Sequence, residues 1–306
     1  MLIAVLYIVV GLVLLTFAAD RFVTAAARLA KAWGMSQILI GAVVVGMGTS
    51  APEFIVSVVG GGKSFDLAFG NIAGSNIANL SLVLGASVLV SAIVGQRTIL
   101  RREGLLMLVA VILFGAFMWD GGLNRTEGII LALGAALSGY LLTRWSTGET
   151  DDDVGLDGDF KVPTELAAGL LTLGVMLAGA QLLATGALDA AAILGVSEGF
   201  IGLTVVAIGT SLPELATAVA AARQRRNALV VGNLLGSNLF NSLVVGAGVG
   251  IIRPGVAEDP VRATIVVMIA IAALSGILLN TGDRMVRSEG VVLLATYVGY
   301  LTWLAI

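Results

Sequence analysis

Two residue types are missing from the 306 residues altogether: there is no cysteine and no histidine. Without cysteine there are no disulfides, thiolate metal sites or thiol nucleophiles. Without histidine the usual zinc and haem ligands are gone, and so is any imidazole proton relay. Charge is scarce too, at 12% of residues, against about a quarter in ordinary soluble domains. What fills the space is apolar: 58% hydrophobic residues and a mean hydropathy of +1.02. Such a chain is a polytopic membrane protein, and its forty glycines suit close helix packing in lipid. An intramembrane enzyme finds no His, Cys or paired intramembrane aspartates here to serve as nucleophile or metal ligand. The net charge of −3 says little, because the distribution over loops matters more than the sum.

Within the apolar stretch from Ile38 to Val59, residues 46–54 read Gly-Met-Gly-Thr-Ser-Ala-Pro-Glu-Phe. Pro52 cannot donate to the carbonyl of Gly48, and its ring crowds that turn, so the helix must break or kink there. Carbonyls freed around Gly48 and Thr49 are tolerated in a membrane only where they line a cavity or bind something. Thr49 and Glu53 are four apart and share the face beside the break. A hard cation would satisfy all these oxygens together.

The stretch occurs twice. Residues 207–215 read Ala-Ile-Gly-Thr-Ser-Leu-Pro-Glu-Leu, which sets Thr210, Pro213 and Glu214 at an offset of 161 from Thr49, Pro52 and Glu53. Gly-Asn-Ile-Ala-Gly-Ser-Asn-Ile-Ala-Asn at 70–79 returns as Gly-Asn-Leu-Leu-Gly-Ser-Asn-Leu-Phe-Asn at 232–241, at an offset of 162. This is an internal duplication, with motif segments 41–60 and 70–79 in one half and 202–221 and 232–241 in the other.

At roughly 20 apolar residues per span, the chain reads as all-α with ten transmembrane helices, near 2–30, 37–60, 67–94, 103–119, 127–145, 164–190, 199–222, 228–251, 261–279 and 288–305. The first apolar run lacks a basic leader and reads as a span rather than a cleaved signal. Five spans per repeat make two inverted halves, 1–145 and 163–306, joined by a linker at 146–162. With the N-terminus outside, thirteen Lys and Arg residues fall on the internal side and only Lys63, Arg125, Arg253 and Arg262 on the external side. That bias puts the linker in the cytoplasm and both termini in the extracellular or periplasmic space of a cell membrane. The linker is acidic, but Asp151, Asp153 and Gly155 do not fit the EF-hand pattern, so it reads as a solvated connector. Asp20 reads as the partner of neighbouring Arg21 near an interface.

The site candidates follow from depth. Glu53 and Glu214 are carboxylates in the hydrophobic centre, where no Lys or Arg accompanies them, so they must be protonated or neutralised by a cation from solution. Ser75 and Asn79 share one face of the third span, and Ser237 and Asn241 one face of the eighth. For a Ser or Asn alone, interhelical hydrogen bonding explains as much. Gly70, Gly74, Gly232 and Gly236 are expected to let these spans pack closely. Together the Glu, Thr, Ser and Asn pairs and the broken-helix carbonyls form an all-oxygen set suited to Ca²⁺ or Na⁺.

The paired Gly-Thr-Ser-x-Pro-Glu and Gly-Asn-x-x-Gly-Ser-Asn-x-x-Asn motifs resemble the α-repeats of the cation/calcium antiporter superfamily, above all its prokaryotic sodium/calcium exchangers. The resemblance covers the whole chain. It implies that Glu53, Glu214, Thr49 and Thr210 hold Ca²⁺, and that Ser50, Ser75, Ser211, Ser237 and the carbonyls of Gly46 and Ala207 complete flanking Na⁺ sites. It also implies that the first and sixth helices slide together against the rest. Some relatives carry Asp where this chain has Asn241, and in potassium-dependent relatives an acidic residue there goes with a need for K⁺. The expectation is therefore a K⁺-independent Na⁺/Ca²⁺ antiporter, with no cofactor, no nucleic acid partner, the lipid bilayer as its surroundings and a monomer as its working unit. H⁺/Ca²⁺ exchange through the same two Glu is the alternative, and a passive cation channel a third reading that the duplicated halves disfavour. Single cysteines introduced at Gly148 and Gly121 should be labelled by an impermeant reagent from opposite faces. Labelling of both from one face would rule out the ten-span arrangement.

Overall fold

A computed structural model describes residues 1–59, 65–94, 100–145, 159–194, 209–258, 261–280 and 284–304. The chain is almost wholly helical. The helices are α1 (Leu2–Trp33), α2 (Gln37–Thr49), α3 (Ala51–Val59), α4 (Phe65–Val90), α5 (Arg101–Asp120), α6 (Arg125–Trp145), α7 (Val162–Ile193), α8 (Leu212–Arg223), α9 (Asn227–Ile252), α10 (Arg262–Asn280) and α11 (Arg287–Leu304). Two short strands, Gly122–Leu123 and Gly255–Val256, pair antiparallel at one end of the bundle. Among the described residues seven helices are long and apolar enough to cross a membrane, and eight if α2 and α3 count as one bent span. Of the remaining expected spans, α11 begins on Arg287 and Glu289 and is short of apolar length. The start of the one expected at 199–222 lies outside the described residues, as does most of the 146–162 linker.

The burial pattern sorts the helices into a centre and a flank. In α4 and α9 alike, 83% of the most apolar stretch is buried, against 28% in α1 and 22% in α7. The two central helices carry the Gly-Asn motifs, so the spans bearing these amides and hydroxyls are the most enclosed among the described ones. That inversion of a soluble core is intelligible in lipid, where apolar side chains gain nothing by turning inward and polar ones do. Side chains such as Leu2 on α1 and Leu171 on α7, 84% and 68% exposed, face outward.

Glycines set the closest crossings. A Cβ at Gly11 would stand 2.6 Å from the Leu183 backbone nitrogen, and one at Gly186 2.7 Å from the Ala4 carbonyl oxygen, so α1 and α7 touch backbone to backbone. Gly232 and Gly236 bring α9 onto α2, with ideal Cβ positions 2.5 Å from the Ile38 oxygen and 2.2 Å from the Ala42 oxygen. The expectation for Gly70 is not met, because among the described residues nothing lies within 4 Å of where its Cβ would be.

The ion pairs also differ from expectation. Arg21 does not pair with its neighbour Asp20. It donates to Glu165 Oε2 at 2.6 Å, while Arg28 donates to Oε1 of the same carboxylate at 2.6 Å. Residues 20 and 21 point about 100° apart on a helix, so Arg21 faces α7 while Asp20 faces Arg223, 3.6 Å away at the end of α8. Adding a methyl group at position 236 tests the α2–α9 contact. Gly236→Ala should lower the thermal midpoint of the detergent-solubilised protein by an amount worth at least about 1–3 kcal/mol of overpacking. Gly70→Ala, which meets open space, should leave the midpoint unchanged or slightly raised.

Candidate functional site

The bend that Pro52 imposes falls where expected. The axes of α2 and α3 differ by 46°, and Ser50 at the joint takes φ −83°, ψ 9°. Proline at the second position of a helix costs nothing, since the first-turn N–H groups have no intrahelical acceptor. In the second half Pro213 stands in the same place in α8, with Ser211 as the cap at φ −86°, ψ 4°. Each half therefore presents a Thr-Ser joint followed one turn later by a glutamate in the first turn of a new helix. The helix start carries a partial positive charge that favours a carboxylate there.

Glu53 and Glu214 are fully buried, and so are Thr49, Ser75, Asn79, Ser237 and Asn241. The contacts interleave the halves. Ser50 donates to Glu214 Oε1 at 2.7 Å, and Ser237 donates to the Gly46 carbonyl at 3.2 Å. Thr210 donates to Asn71 Oδ1 at 3.2 Å, while Ser75 donates to Glu53 Oε1 at 3.4 Å. Ser50 stands three residues before Glu53 and reaches Glu214, so the two carboxyl groups share one polar centre. Each keeps one oxygen, Oε2, with no partner. No ion pair involves either of them among the described residues.

The paired asparagines depart from the bland reading. Nδ2 and Oδ1 of Asn79 and of Asn241 are all buried and all without partners, as is Ser211 Oγ. Buried amides are nearly always hydrogen-bonded, so four open atoms at equivalent positions signal a ligand or water. Both asparagines lie at the start of π-helical turns, Asn79 as the first residue of Asn79–Val83 in α4 and Asn241 as the second of Phe240–Val245 in α9. Such turns widen the helix and recur at functional sites. Among the described residues no three of His, Cys, Asp or Glu gather as a metal cluster. Any cation held here would rest on two carboxylates and neutral oxygens. Gly46 O receives the Ser50 backbone N–H at 3.0 Å and the Thr49 hydroxyl at 3.2 Å besides Ser237. Ala207, the other expected carbonyl, lies outside the described residues.

Comparison with known proteins decides the family. The sequence pattern described as sodium/calcium exchanger protein matches residues 3–143 and 165–306. The chain belongs to the sodium/calcium exchanger family. It is 40% identical to the putative antiporter CaxA of Alkalimonas amylolytica, over 98% of each chain. It is 32% identical to the sodium/calcium exchanger MaX1 of Methanosarcina acetivorans, over 97% of each. The structure of the sodium-calcium exchanger NCX_Mj soaked with 10 mM Na⁺ and 10 mM Sr²⁺ superposes with a TM-score of 0.84 at 29% identity, over 98% of both chains. As a member of this family the chain is a multi-pass membrane antiporter of cations including Ca²⁺, not an enzyme.

Sequence reasoning passed over several residues of this exchanger's polar centre. Asn71 donates to the Glu53 carbonyl at 3.2 Å and to Ser57 at 2.9 Å. Asn233 donates to the Glu214 carbonyl at 3.4 Å and to Thr217 at 3.1 Å. Ser57 lies four residues after its Glu and Thr217 three, which hides the equivalence from a fixed offset. The π turn Ile55–Val59 explains it, since at more residues per turn the fourth position swings to where the third falls in an α-helix. Both asparagines stand second in the duplicated block, and that was the available signal. The bend itself is testable through ion-induced stabilisation, which reports affinity by mass action. Pro52→Ala should keep or raise the ion-free thermal midpoint and reduce the added shift from Ca²⁺ and Na⁺ several-fold. Equal shifts in variant and wild type would remove the broken turn from the site.

Proposed function

We propose that the chain exchanges Na⁺ for Ca²⁺ by alternating access around one mid-membrane site, without requiring K⁺. The observation that carries this reading is the pair Glu53 and Glu214, fully buried, each with one oxygen open and no Lys or Arg ion-paired to it among the described residues. Two ionised carboxylates set the site at −2, which one Ca²⁺ or two Na⁺ neutralise; a third Na⁺ makes the loaded site positive and the exchange electrogenic. Ca²⁺ would take Glu53 and Glu214 with Thr49 and Thr210. Na⁺ would use the flanking Ser50, Ser75, Ser211 and Ser237 and the carbonyls of Gly46 and Ala207. Asn79 and Asn241 supply neutral amide oxygens between them.

The frame for this is two inverted halves, 1–145 and 163–306, of five spans each, with the 146–162 linker inside and both termini outside. The flank of α1 and α7 moves relative to the centre, and a single chain holds a complete site, so the monomer is sufficient. Proton exchange through the same carboxylates is the competing reading. Hydroxyls beside each glutamate favour sodium, since a proton needs one oxygen and Na⁺ needs several.

Proteoliposomes loaded with Na⁺ should take up Ca²⁺, and replacing K⁺ by choline on both sides should leave the rate unchanged. A pH gradient alone should drive little uptake. Flux that collapses without K⁺, or that follows pH and ignores Na⁺, would overturn the assignment of coupling ion. Glu53→Gln and Glu214→Gln should each cut exchange a hundredfold or more, about 3 kcal/mol of lost ligation, in protein that elutes as a folded species.

A further inference from the structure

The asparagines that stand second in the two repeated blocks have unlike surroundings. Asn71 spends its amide donors on the Glu53 carbonyl and Ser57, and Asn233 spends its own on the Glu214 carbonyl and Thr217. The two side chains are thus anchored alike, each against the first turn of its own half's glutamate helix. Their amide oxygens are not treated alike. Asn71 Oδ1 accepts from Thr210 at 3.2 Å, across the halves. Asn233 Oδ1 is buried with no partner. Thr49, the equivalent of Thr210, donates to Val45 O at 2.9 Å and Gly46 O at 3.2 Å on its own helix; the residues one turn before Thr210 lie outside the described residues.

The residue that carries the open acceptor packs beside the turn leading into Thr49. Gly46 is packed so tightly on α9 that a Cβ there would come within 2.9 Å of the Asn233 carbonyl oxygen, and Thr49 follows one turn later. The serines repeat the imbalance: Ser50 bonds Glu214, while Ser211 Oγ bonds nothing. In each case one member of an equivalent pair is joined across the halves and the other is left open. A buried unpaired acceptor costs free energy, and it is tolerated where another state of the molecule satisfies it.

We propose that Asn71 and Asn233 are positioning residues that take the two site threonines in turn, Thr210 on Asn71 in one access state and Thr49 on Asn233 in the other. The inference rests on the exchange reading above and adds the residues that bias its two states. When the halves trade conformations, one hydrogen bond opens as its twin closes, so the states stay near in energy, as an antiporter that must visit both requires. Neither asparagine need touch an ion. Removing one should therefore favour the state that the other supports.

The test is the sidedness of Ca²⁺ affinity, the ratio of apparent KM in everted to that in right-side-out vesicles. Asn71→Ala and Asn233→Ala should move this ratio in opposite directions, each on the order of five-fold, the shift expected of one net hydrogen bond. A residue that merely supports the fold would lower both rates and leave the ratio alone. The milder Asn71→Gln and Asn233→Gln displace the amide oxygen without removing the amide, and they should give the same signs at smaller size. Spin labels on cysteines at Trp33 and Arg225 supply a readout that needs no transport: their distance distribution should shift oppositely in the two variants. Shifts of the same sign, or none in folded protein, would overturn the proposal. Wild-type vesicles with no Na⁺-dependent Ca²⁺ flux would instead sink the exchange reading, and the label distances would still decide the asparagine pair.

Discussion

Everything in this fold answers to two carboxylates buried in its interior with no Lys or Arg ion-paired to them among the described residues. An ionised glutamate in hydrocarbon is costly, and here two of them share one polar centre. The protein meets part of that cost with hydroxyls, helix starts and amides, and leaves one oxygen on each open. The shortfall makes the site a receptor for cations. A resident Arg would have satisfied the carboxylates permanently and silenced them.

The requirement propagates outward. To present oxygens at mid-depth, the second span must break, and Pro52 stands where the new helix starts. To enclose the break, α9 must lie against α2 with no side chain between, which only glycine at 232 and 236 allows. To keep α4 and α9 central while they carry amides and hydroxyls, the apolar side chains turn outward to lipid. The flank of α1 and α7 then closes one side of the centre without sharing its polar lining.

Much of this was legible in the chain. Depth and the missing basic residues singled out Glu53 and Glu214, and the repeat located their partners, because both signals survive in one dimension. Pro52 announced the bend for the same reason. The pairing of Asp20 and Arg21 was misread because adjacency in sequence is divergence on a helix. Gly70 was misread because a glycine does not say whether a neighbour arrives. The asparagines at 71 and 233 and the π turns were passed over, since hydrogen-bond register inside a helix depends on packing that no local pattern encodes.

The double clamp on Glu165 carries a mechanical meaning. Two guanidiniums fasten one end of α7 to α1, and bare backbone contact at Gly11 and Gly186 fastens the rest. Two helices of 32 residues each, roughly 48 Å long at 1.5 Å per residue, are thereby one rod, longer than the hydrocarbon it lies in. Its outer surface is greasy along most of its length, so a displacement along its own axis trades one apolar ring at the upper leaflet for another at the lower. The bilayer resists such a glide very little. In the motion proposed above, resistance would come from the face of the rod packed on α2 and α8, which includes the exposed pair Asp20–Arg223.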